Sequence, residues 1–581
     1  MAGFDTNPPA NPTAGIDAAR FEVVKNALIS AAEEMKIVLA KTAYSPLLKM
    51  AGDYSCGIFS ATGDMVAQGP DLPIHLGSMP DAVRSVVQTF PEPVEGEVYI
   101  HNDPYHGGSH LPDVNVVMPA FFEGRLLGYG CVRAHWPDIG GGAPGSYSAV
   151  TEIYGEGLRM PPTRIYVDGK PDENIERFIL ANVRAPSERQ GDLRAQVAAN
   201  KRAVDRMGAL AAKYGTDELL RIMDAILDYS EVMMRAALRE LPDGVASFVD
   251  TIDGDGIVEP GEAHDMTFKV ALTLTKRGDE ITLDFDGSDP RVKGPMNAPL
   301  TVTASGCFAA LKWALDPKAL IPPNSGAWRP VTVTAPKGCV VNAQEPAPVT
   351  YANHEMSARI SDIVFRCLHD LCPGRTPAGS QGTGGVTIFG GQDYRNGNTY
   401  ISYEVTKGGF GARPMKDGMN GVSTCIGNML NTPVEIMEMS FPVRIEEYTL
   451  AADTGGAGKY RGGLGVRRIW RVLGSDANCA TCVERTMTPA FGLNGGLDGA
   501  CAEVTLILPD GTVHKKEGKG GFAAPKDSRL IFQVPGSGGY GPPSERDPQA
   551  LRADLAAGYV TPEAAARDYP QAYAKLNEAG D

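Results

Sequence analysis

A long helical stretch that ends abruptly divides this chain into two parts of different character. Residues 190–240 are strongly helical in sequence and contain few glycines or prolines. The stretch stops at Leu241-Pro242-Asp243-Gly244, a strong helix-ending signal. Beyond it, apolar and polar residues alternate as they do in β-strands, at 266–274 and at 281–285. The sequence therefore predicts an α+β fold with a domain boundary near residue 242.

The length of the chain indicates more than one domain. A chain of 581 residues exceeds what a single core usually organises, so we expect a mixed multi-domain architecture with β-rich regions besides the helical segment near 190–240. The expected regions are a flexible N-terminal tail at 1–17, an α+β domain at 18–242 that holds the metal candidates described below, a β-rich mixed region at 243–545 with glycine-rich loops, and a C-terminal helical tail at 546–581.

Charge and hydropathy exclude several classes of protein. The chain has 54 basic and 70 acidic residues, a net charge of −16, so it lacks the concentrated positive surface that nucleic-acid binding needs. No window approaches the roughly 20 apolar residues of a membrane span, and the N-terminus lacks the pattern of an export signal. The 10 cysteines are scattered, as small buried hydrophobes would be. We expect a cytoplasmic protein without nucleic-acid or membrane partners.

The segment from residue 101 to 113 concentrates groups that can bind metals. It reads His-Asn-Asp-Pro-Tyr-His-Gly-Gly-Ser-His-Leu-Pro-Asp, and five of its thirteen residues are His or Asp in a chain with only nine histidines. The residues after it predict a β-hairpin with strands at 114–122 and 126–134 and a turn at Glu123-Gly124-Arg125.

Antiparallel pairing about Gly124 places position 113 opposite position 135, because both lie eleven residues from the turn. Position 135 is a histidine, so His110 and Asp113 are expected beside His135. Two imidazoles and one carboxylate in this arrangement can hold a metal ion with room for water. For any single histidine here, hydrogen bonding to loop backbone is the simpler interpretation; the three together favour a metal site.

Several weaker patterns are better explained by structure than by function. Asp253-Gly254-Asp255-Gly256 with Glu262 resembles part of a calcium loop, but Thr251 and Pro260 do not fit it, which favours a plain turn. The run 455–460, Gly-Gly-Ala-Gly-Lys-Tyr, lacks the first glycine and the final Ser or Thr of a phosphate loop.

Two further patterns are assigned to packing. Cys479 and Cys482 have the spacing of a redox motif but lie in a strand-like run, which favours a buried strand. His354 and His369 fall on a helix predicted near 354–371, where we expect ordinary packing or surface positions. The glycine-rich block 408–413 could line a substrate pocket through close backbone approach, with Gly408, Gly409 and Arg413 as substrate-binding candidates.

A family resemblance covers nearly the whole chain. The blocks Asn102-Asp103-Pro104-Tyr105, 107–113, and His135 with Asp138-Ile139-Gly140-Gly141 resemble the hallmark segments of the hydantoinase B/oxoprolinase family. This family includes second subunits of N-methylhydantoinase and caprolactamase, part of 5-oxoprolinase, and subunits of acetone and acetophenone carboxylases. The resemblance continues in further blocks at 156–159, 191–196, 294–299, 408–413, 460–465 and 536–541.

The resemblance implies a metal ion held by four residues, Asp53, His110, Asp113 and His135. Spacing alone would not select Asp53 over Asp64 or Asp71; its assignment follows from the resemblance of Asp53-Tyr54-Ser55 to the family's Asp-aromatic-Ser block. Two imidazoles suit zinc and two carboxylates suit manganese, so both metals stay open. His101, His106 and Asp103 are reserve candidates, and for Asp103 we expect a structural role that fixes a ligand imidazole.

The resemblance also implies an ATP-dependent enzyme acting on a cyclic amide such as a hydantoin, a lactam or 5-oxoproline. A separate hydantoinase A-type subunit would bind ATP and phosphorylate the carbonyl oxygen, so we expect a hetero-oligomer in which this chain hydrolyses the activated substrate. Asp138 or Glu156 would accept a proton. One alternative is a subunit of an ATP-dependent acetone or acetophenone carboxylase acting on a ketone, and another is a non-enzymatic scaffold whose His/Asp cluster is purely structural.

Overall fold

The computed structural model describes residues 12–257 and 266–578. The predicted flexible tail at 1–17 therefore lies mostly outside the described residues, as does Glu262 of the calcium-like pattern. Within the described ranges no helix is both long enough and apolar enough to cross a bilayer.

Eleven α-helices are found in the described residues, and the longest stand where the sequence predicts them. The predicted helical stretch at 190–240 is confirmed, as two helices separated at Gly215, and apolar residues at helical spacing such as Phe21, Val24 and Leu28 form the buried face of a helix at 18–42. The helices are α1 Ala18–Thr42, α2 Met79–Thr89, α3 Glu173–Ala181, α4 Pro186–Tyr214, α5 Thr216–Arg239, α6 Leu300–Leu315, α7 Ala352–Leu371, α8 Val434–Ser440, α9 Pro548–Ala556, α10 Pro562–Asp568 and α11 Pro570–Glu578.

Seven strands of the first part of the chain form one antiparallel sheet in the order β2-β1-β5-β4-β3-β6-β7. At its centre lies the hairpin predicted from the sequence, in which Asp113 pairs with His135. The strands are β1 Tyr54–Phe59, β2 Met65–Gln68, β3 Val98–His101, β4 Asp113–Phe122, β5 Arg125–His135, β6 Thr163–Val167 and β7 Lys170–Pro171.

The strands after residue 243 form three smaller sheets, in the orders β11-β10-β9-β8, β13-β12-β16-β19 and β14-β15-β20-β17-β18. Pairing is antiparallel except between β10 and β11. The strands are β8 Gly244–Asp253, β9 Thr267–Arg277, β10 Glu280–Asp284, β11 Val331–Thr334, β12 Val386–Gln392, β13 Thr399–Val405, β14 Val443–Leu450, β15 Val466–Val472, β16 Ala477–Cys482, β17 Glu503–Ile507, β18 Val513–Lys515, β19 Lys519–Ala524 and β20 Arg529–Gln533.

The seven-stranded sheet is covered on both faces. On one face, apolar residues of α1 and α4 share a core with alternate residues of the central strands, such as Val114 and Val132. On the other face, Val117 and Cys131 belong to a core that also contains residues of α2, β9, α6 and α7. The multi-domain α+β class is thus confirmed. This second core includes residues from both sides of position 242, and the division of the chain at that position remains a prediction.

Candidate metal centre

Three side chains converge at the end of the central hairpin. His110 lies in the loop before β4, Asp113 is the first residue of β4, and His135 is the last residue of β5. One possible ligand atom from each lies within 4.8 Å of those of the other two, and all three residues are buried. The hairpin register produces this convergence because Asp113 and His135 are directly paired.

The loop that carries His110 is held by its own polar residues. The Asn102 amide accepts a hydrogen bond from the Met160 N–H and donates one to the Leu111 carbonyl. The buried carboxylate of Asp103 accepts from His106 Nδ1 at 2.8 Å and from Arg159 Nε at 2.7 Å. Asp103 thus has a structural role, but the imidazole that it fixes is the half-exposed His106 and not a ring of the candidate centre.

The two imidazoles are in the form that binds metals. His110 Nδ1 donates to the Thr350 carbonyl oxygen at 3.2 Å, so the lone pair is on Nε2, which accepts a hydrogen bond from Asn353 Nδ2 at 3.1 Å and lies 3.4 Å from Asp113 Oδ1. Both ring nitrogens of His135 are buried without a hydrogen-bond partner among the described residues. Burial lowers the pKa of both histidines, His135 well below its usual value, so both rings are neutral near pH 7.

Asp113 is held as a carboxylate. Burial alone would raise its pKa, but the neighbouring His110 imidazole, together with His75 and Arg133, outweighs burial and holds the pKa well below the usual value. Asp113 Oδ2 also accepts a hydrogen bond from Ser109 Oγ at 2.5 Å. His75 Nε2 lies 3.7 Å from the same oxygen.

Asp53, the fourth residue implied by the resemblance, faces the same cavity. It directly precedes β1, and its carbonyl accepts the His135 N–H at 3.0 Å. Its carboxylate lies outside the group of three whose atoms are within 4.8 Å of one another. Burial, and then the charge of Asp113, raise the pKa of Asp53 to about 8. Asp53 as a metal ligand therefore remains a prediction. A nearby cation would favour the charged, deprotonated form of its carboxyl group.

The cluster opens into a cavity with about 540 Å³ of empty space, its mouth included. Its wall combines apolar side chains with polar groups from eight separate segments of the chain. The apolar residues are Leu72, Ile74, Val405, Ile426 and Met429, and the polar side chains include Asp53, His75, Asp113, His135, Asn353, His354, Gln381, Thr383, Tyr403, Lys407, Ser423 and Thr424.

His354 belongs to this cavity, which corrects the expectation of an ordinary packing or surface position. It lies in the first turn of α7, and its Nε2 contacts the hydroxyls of Tyr147 at 2.6 Å and Tyr403 at 3.2 Å. Its ring centroid is 5.8 Å from that of His110. The helical pattern around His354 could not show that α7 begins beside His110, because the hydroxyl groups that its ring contacts, those of Tyr147 and Tyr403, lie in the segment after β5 and in β13.

His75, Tyr403 and Lys407 also line the cavity, and none of them was predicted from the sequence. His75 is fixed by Ser55 Oγ at 2.7 Å from its Nδ1 and stands beside Asp113. The Tyr403 ring packs against His135, with ring centroids 4.6 Å apart and ring planes tilted by 43°. Burial lowers the pKa of Lys407 to about 8. Only the scarcity of histidines in the chain could have drawn attention to His75.

Asp138 and Glu156, the predicted proton acceptors, are buried but do not line the cavity. The Asp138 carboxylate accepts hydrogen bonds from the N–H groups of Gly140 and Gly145 and from Arg184. Its role in this structure is to order that loop. Glu156 Oε1 accepts from the backbone N–H groups of Val349 and Thr350 at 2.6 and 2.7 Å, so it supports the carbonyl that orients His110.

The predicted substrate-binding residues Gly408, Gly409 and Arg413 stand behind the cavity wall. A Cβ on Gly408 would lie 1.9 Å from Gln381 Oε1, so only glycine lets the Gln381 side chain lie there. The Gly409 carbonyl accepts the Gln381 N–H. Arg413 donates to the Asp417 carbonyl at 3.0 Å and is not part of the wall. The two glycines therefore act on the cavity through Gln381.

The weaker sequence patterns behave as packing predicts. The Asp253 carboxylate accepts hydrogen bonds from the Met487 N–H and from Thr488 Oγ1. A Cβ on Gly456, in the phosphate-loop-like run, would lie 2.2 Å from the Leu497 carbonyl oxygen, so backbone already fills that space. Cys479 and Cys482 are buried in β16.

Comparison with known proteins identifies the family to which this chain belongs. A sequence model described as hydantoinase B/oxoprolinase matches residues 17–543. The chain belongs to the hydantoinase B/oxoprolinase family.

Relatives of this family match the chain over nearly its whole length. An uncharacterized protein of Methanocaldococcus jannaschii is 37% identical, over 95% of this chain and 96% of the relative. Caprolactamase subunit beta of Pseudomonas jessenii is 32% identical over the same shares of both chains. A 5-oxoprolinase of Dictyostelium discoideum is 31% identical over 91% of this chain but only 41% of its own length. The hydantoinase B unit thus occurs both as a separate chain and as part of a longer one.

Two solved structures share the fold. The crystal structure of the ATP-dependent caprolactamase from Pseudomonas jessenii superposes with a TM-score of 0.87 at 31% identity, over 96% of both chains. A nucleotide-free acetone carboxylase structure superposes with a TM-score of 0.89 at 18% identity, over 98% of this chain and 84% of the other. The second likeness, at this identity, concerns the fold alone.

Proposed function

We propose that this chain is the metal-holding subunit of an ATP-dependent enzyme that hydrolyses cyclic amides. The observation that carries the proposal is the buried cluster of His110, Asp113 and His135 within 4.8 Å, two of whose members line a cavity with both polar and apolar walls. Relatives described as caprolactamase and 5-oxoprolinase support the substrate class.

The residues present fit a divalent cation. The two ring nitrogens of His135 are buried without a partner in the described part of the chain, a costly arrangement unless a ligand engages one of them. Thr350 fixes the His110 ring so that the lone pair is on Nε2, and a bound ion would take the place of the Asn353 side-chain amide that this nitrogen accepts from here. Asp113, within the same cluster, and Asp53, which lines the same cavity, would add carboxylate oxygens. Two imidazoles with hard oxygen donors suit zinc or manganese.

An unstrained amide is a poor electrophile, so hydrolysis near neutral pH needs activation. In this proposal a partner subunit phosphorylates the carbonyl oxygen, which turns it into a leaving group. A divalent ion at the cluster would supply a low-pKa water and polarise the substrate oxygen. That ion would be held and oriented by His110, Asp113, His135 and Asp53. The apolar residues of the cavity wall would keep bulk water away from it.

The His354 ring is the group best placed to receive a proton in the cavity. Its Nε2 stands within hydrogen-bond reach of the Tyr147 and Tyr403 hydroxyls, so a proton accepted at that nitrogen can be shared with them. The Tyr147 and Tyr403 hydroxyls are also 3.1 Å apart, which closes a triangle of three proton-carrying groups. This assignment replaces Asp138 and Glu156, which are engaged elsewhere.

A hydantoinase A-type partner is proposed as the ATP-binding subunit, giving a hetero-oligomer. The sequence has no complete phosphate loop, and its nearest approach, the run 455–460, is filled by neighbouring backbone. The caprolactamase relative is named as a beta subunit. In the 5-oxoprolinase relative, more than half of the length lies outside the part that matches this chain. These features support a division of labour between two chains or two regions.

The test is to purify the chain with its hydantoinase A-type partner and to measure ATP-dependent ring opening of lactams and hydantoins. We expect turnover that needs both chains, ATP and a divalent metal, and that His135→Ala abolishes together with metal binding. His106→Ala, on a half-exposed ring of the same loop, is the matched control and should retain both. Turnover by the metal-free His135→Ala complex would contradict the proposal.

A carboxylase reaction is the alternative outcome of the same assay. Ketones are assayed with and without bicarbonate, since a carboxylase consumes bicarbonate whereas a hydrolase does not. Bicarbonate-dependent loss of a ketone, with no ring opening of any cyclic amide, would replace the hydrolase by a carboxylase subunit.

A further inference from the structure

Lys407 is a cationic group in the cavity that the proposed mechanism does not use. It lies two residues beyond the end of β13, at the same alternation as Tyr403 and Val405, and all three line the cavity. Lys407 is only 5% exposed. The chain therefore places a lysine side chain inside the site, where burial of a charge is costly unless a group of opposite charge pairs with it.

The Lys407 ammonium has no partner of its own. Among the residues that the structure describes, no hydrogen bond or ion pair to Lys407 is found, whereas the buried Lys519 is paired with Glu484. The nearest acidic influences on Lys407 are Glu404 and Asp53. Glu404 is already paired with Arg468 at 3.2 Å, and Asp53 faces the metal cluster. The lysine charge is thus available to a ligand.

Charge balance in the cavity points to an anionic ligand. The carboxylates of Asp53 and Asp113 would be neutralised by one divalent cation, and the histidines are neutral, so the Lys407 charge would stay uncompensated. In the same cavity, Gln381 Oε1 is buried without a hydrogen-bond partner among the described residues and can accept from a ring N–H. The apolar wall of Ile426 and Met429 strengthens a charge-assisted hydrogen bond by keeping water away.

We propose that Lys407 binds a carboxylate on the substrate, so that this cavity takes cyclic amides that carry a carboxylate beside the ring in preference to uncharged lactams. The proposal rests on the cyclic-amide function proposed above and names the substrate class of that same site. Lys407 acts in specificity: it would hold the substituent while the carbonyl faces His110, Asp113 and His135.

The test compares two substrates that differ only in the carboxylate, 5-oxoproline and 2-pyrrolidone, with the partner-supplemented enzyme. We expect wild type to favour 5-oxoproline in kcat/KM. In Lys407→Met the ratio of the two kcat/KM values should fall by about tenfold or more, mainly through KM, since one charge-assisted hydrogen bond is lost. Lys407→Arg should restore part of the ratio. Lys416→Met, at an exposed lysine nearby in the sequence, is the control and should keep the wild-type ratio.

A binding measurement separates this proposal from the function on which it rests. Calorimetric titration of the metal-loaded chain with each compound needs neither ATP nor partner. We expect 5-oxoproline to bind more tightly than 2-pyrrolidone, and the difference to shrink in Lys407→Met at unchanged metal content. Equal losses of affinity for both compounds in Lys407→Met would overturn the role of Lys407. So would a ratio of the two dissociation constants that stays within about twofold of the wild-type ratio. Failure of turnover with an intact binding difference would count against the hydrolase function alone.

Discussion

The carboxyl group of Glu156 affects the site indirectly, through the backbone of Val349 and Thr350. Its Oε1 accepts the Val349 and Thr350 N–H groups, and the Thr350 carbonyl in turn orients His110. Its other oxygen is buried without a partner among the described residues. Burial, against these backbone hydrogen bonds, raises the pKa of Glu156 from 4.5 to about 8. The group is thus largely protonated in the folded protein at neutral pH.

This shift predicts a pH dependence of stability. Because the folded-state pKa lies above the unfolded value of 4.5, the folded protein holds an extra proton between pH 4.5 and 8, and the free energy of unfolding falls as the pH rises through that window. Each pH unit contributes at most about 1.4 kcal/mol. Glu156→Gln should flatten the fall seen in urea denaturation at pH 5, 6.5 and 8, whereas Glu92→Gln, at an exposed position, should not. An unchanged slope in Glu156→Gln would contradict the assignment.

His354 carries the prediction closest to the chemistry. His354→Gln should lower kcat by about 10²-fold or more, because general acid–base catalysis contributes about 10²–10⁴, while metal content and KM change little. The control is His369→Gln on the same helix, about 22 Å further along its axis at 1.5 Å per residue. Loss of the metal in His354→Gln would instead make His354 a ligand, and wild-type kcat would exclude it from proton transfer.

At the scale of elements, a β-bulge sets the register that builds the site. The turn itself pairs Phe122 with Arg125, and continuing that register would place Asp113 opposite residue 134. A shift between Ala120 and Phe121 moves the pairing by one residue, so that Asp113 faces His135. The sequence prediction reached the correct pair by taking Gly124 as the centre, without knowledge of the bulge.

Gly128 pairs with Ala120 at this bulge and has φ +148°, and a Cβ there would lie 2.1 Å from the Phe59 carbonyl oxygen. Gly128→Ala should therefore lower the free energy of unfolding by about 2–3 kcal/mol and reduce metal occupancy, measured by urea denaturation and elemental analysis. Gly208→Ala, in α4 with open space around it, should be neutral or stabilise by up to about 1 kcal/mol. Equal effects of the two substitutions would contradict the role of the bulge.

Local patterns explain how much of this architecture the sequence could predict. The helix α1, the helices α4 and α5, and the hairpin each follow from periodicity and turn residues over short stretches. Asp113 and His135 belong to that one hairpin and His110 lies in the loop that leads into it, so pairing within the hairpin was enough to bring the three together. His75, His354, Tyr403 and Lys407 come from other elements, and their approach depends on how those elements pack. No pattern within a single element records that.

At the scale of the whole molecule, the site lies where the two parts of the chain meet. The seven-stranded sheet supplies the cluster of His110, Asp113 and His135, whereas α7 and β13 supply His354, Tyr403 and Lys407 from beyond residue 243. The core on that face of the sheet contains residues of both parts, so the cavity is a product of their packing. In this account the first part holds the metal and the second part handles protons and selects the substrate.

The most direct test of that account is the X-ray absorption spectrum at the metal edge of the purified chain. We predict a bound zinc or manganese ion with two imidazole ligands and oxygen donors, and a loss of the bound ion, and with it of the edge signal, in His135→Ala. A chain that binds no divalent ion after metal loading, or that binds it through cysteine sulfur, would contradict the central claim.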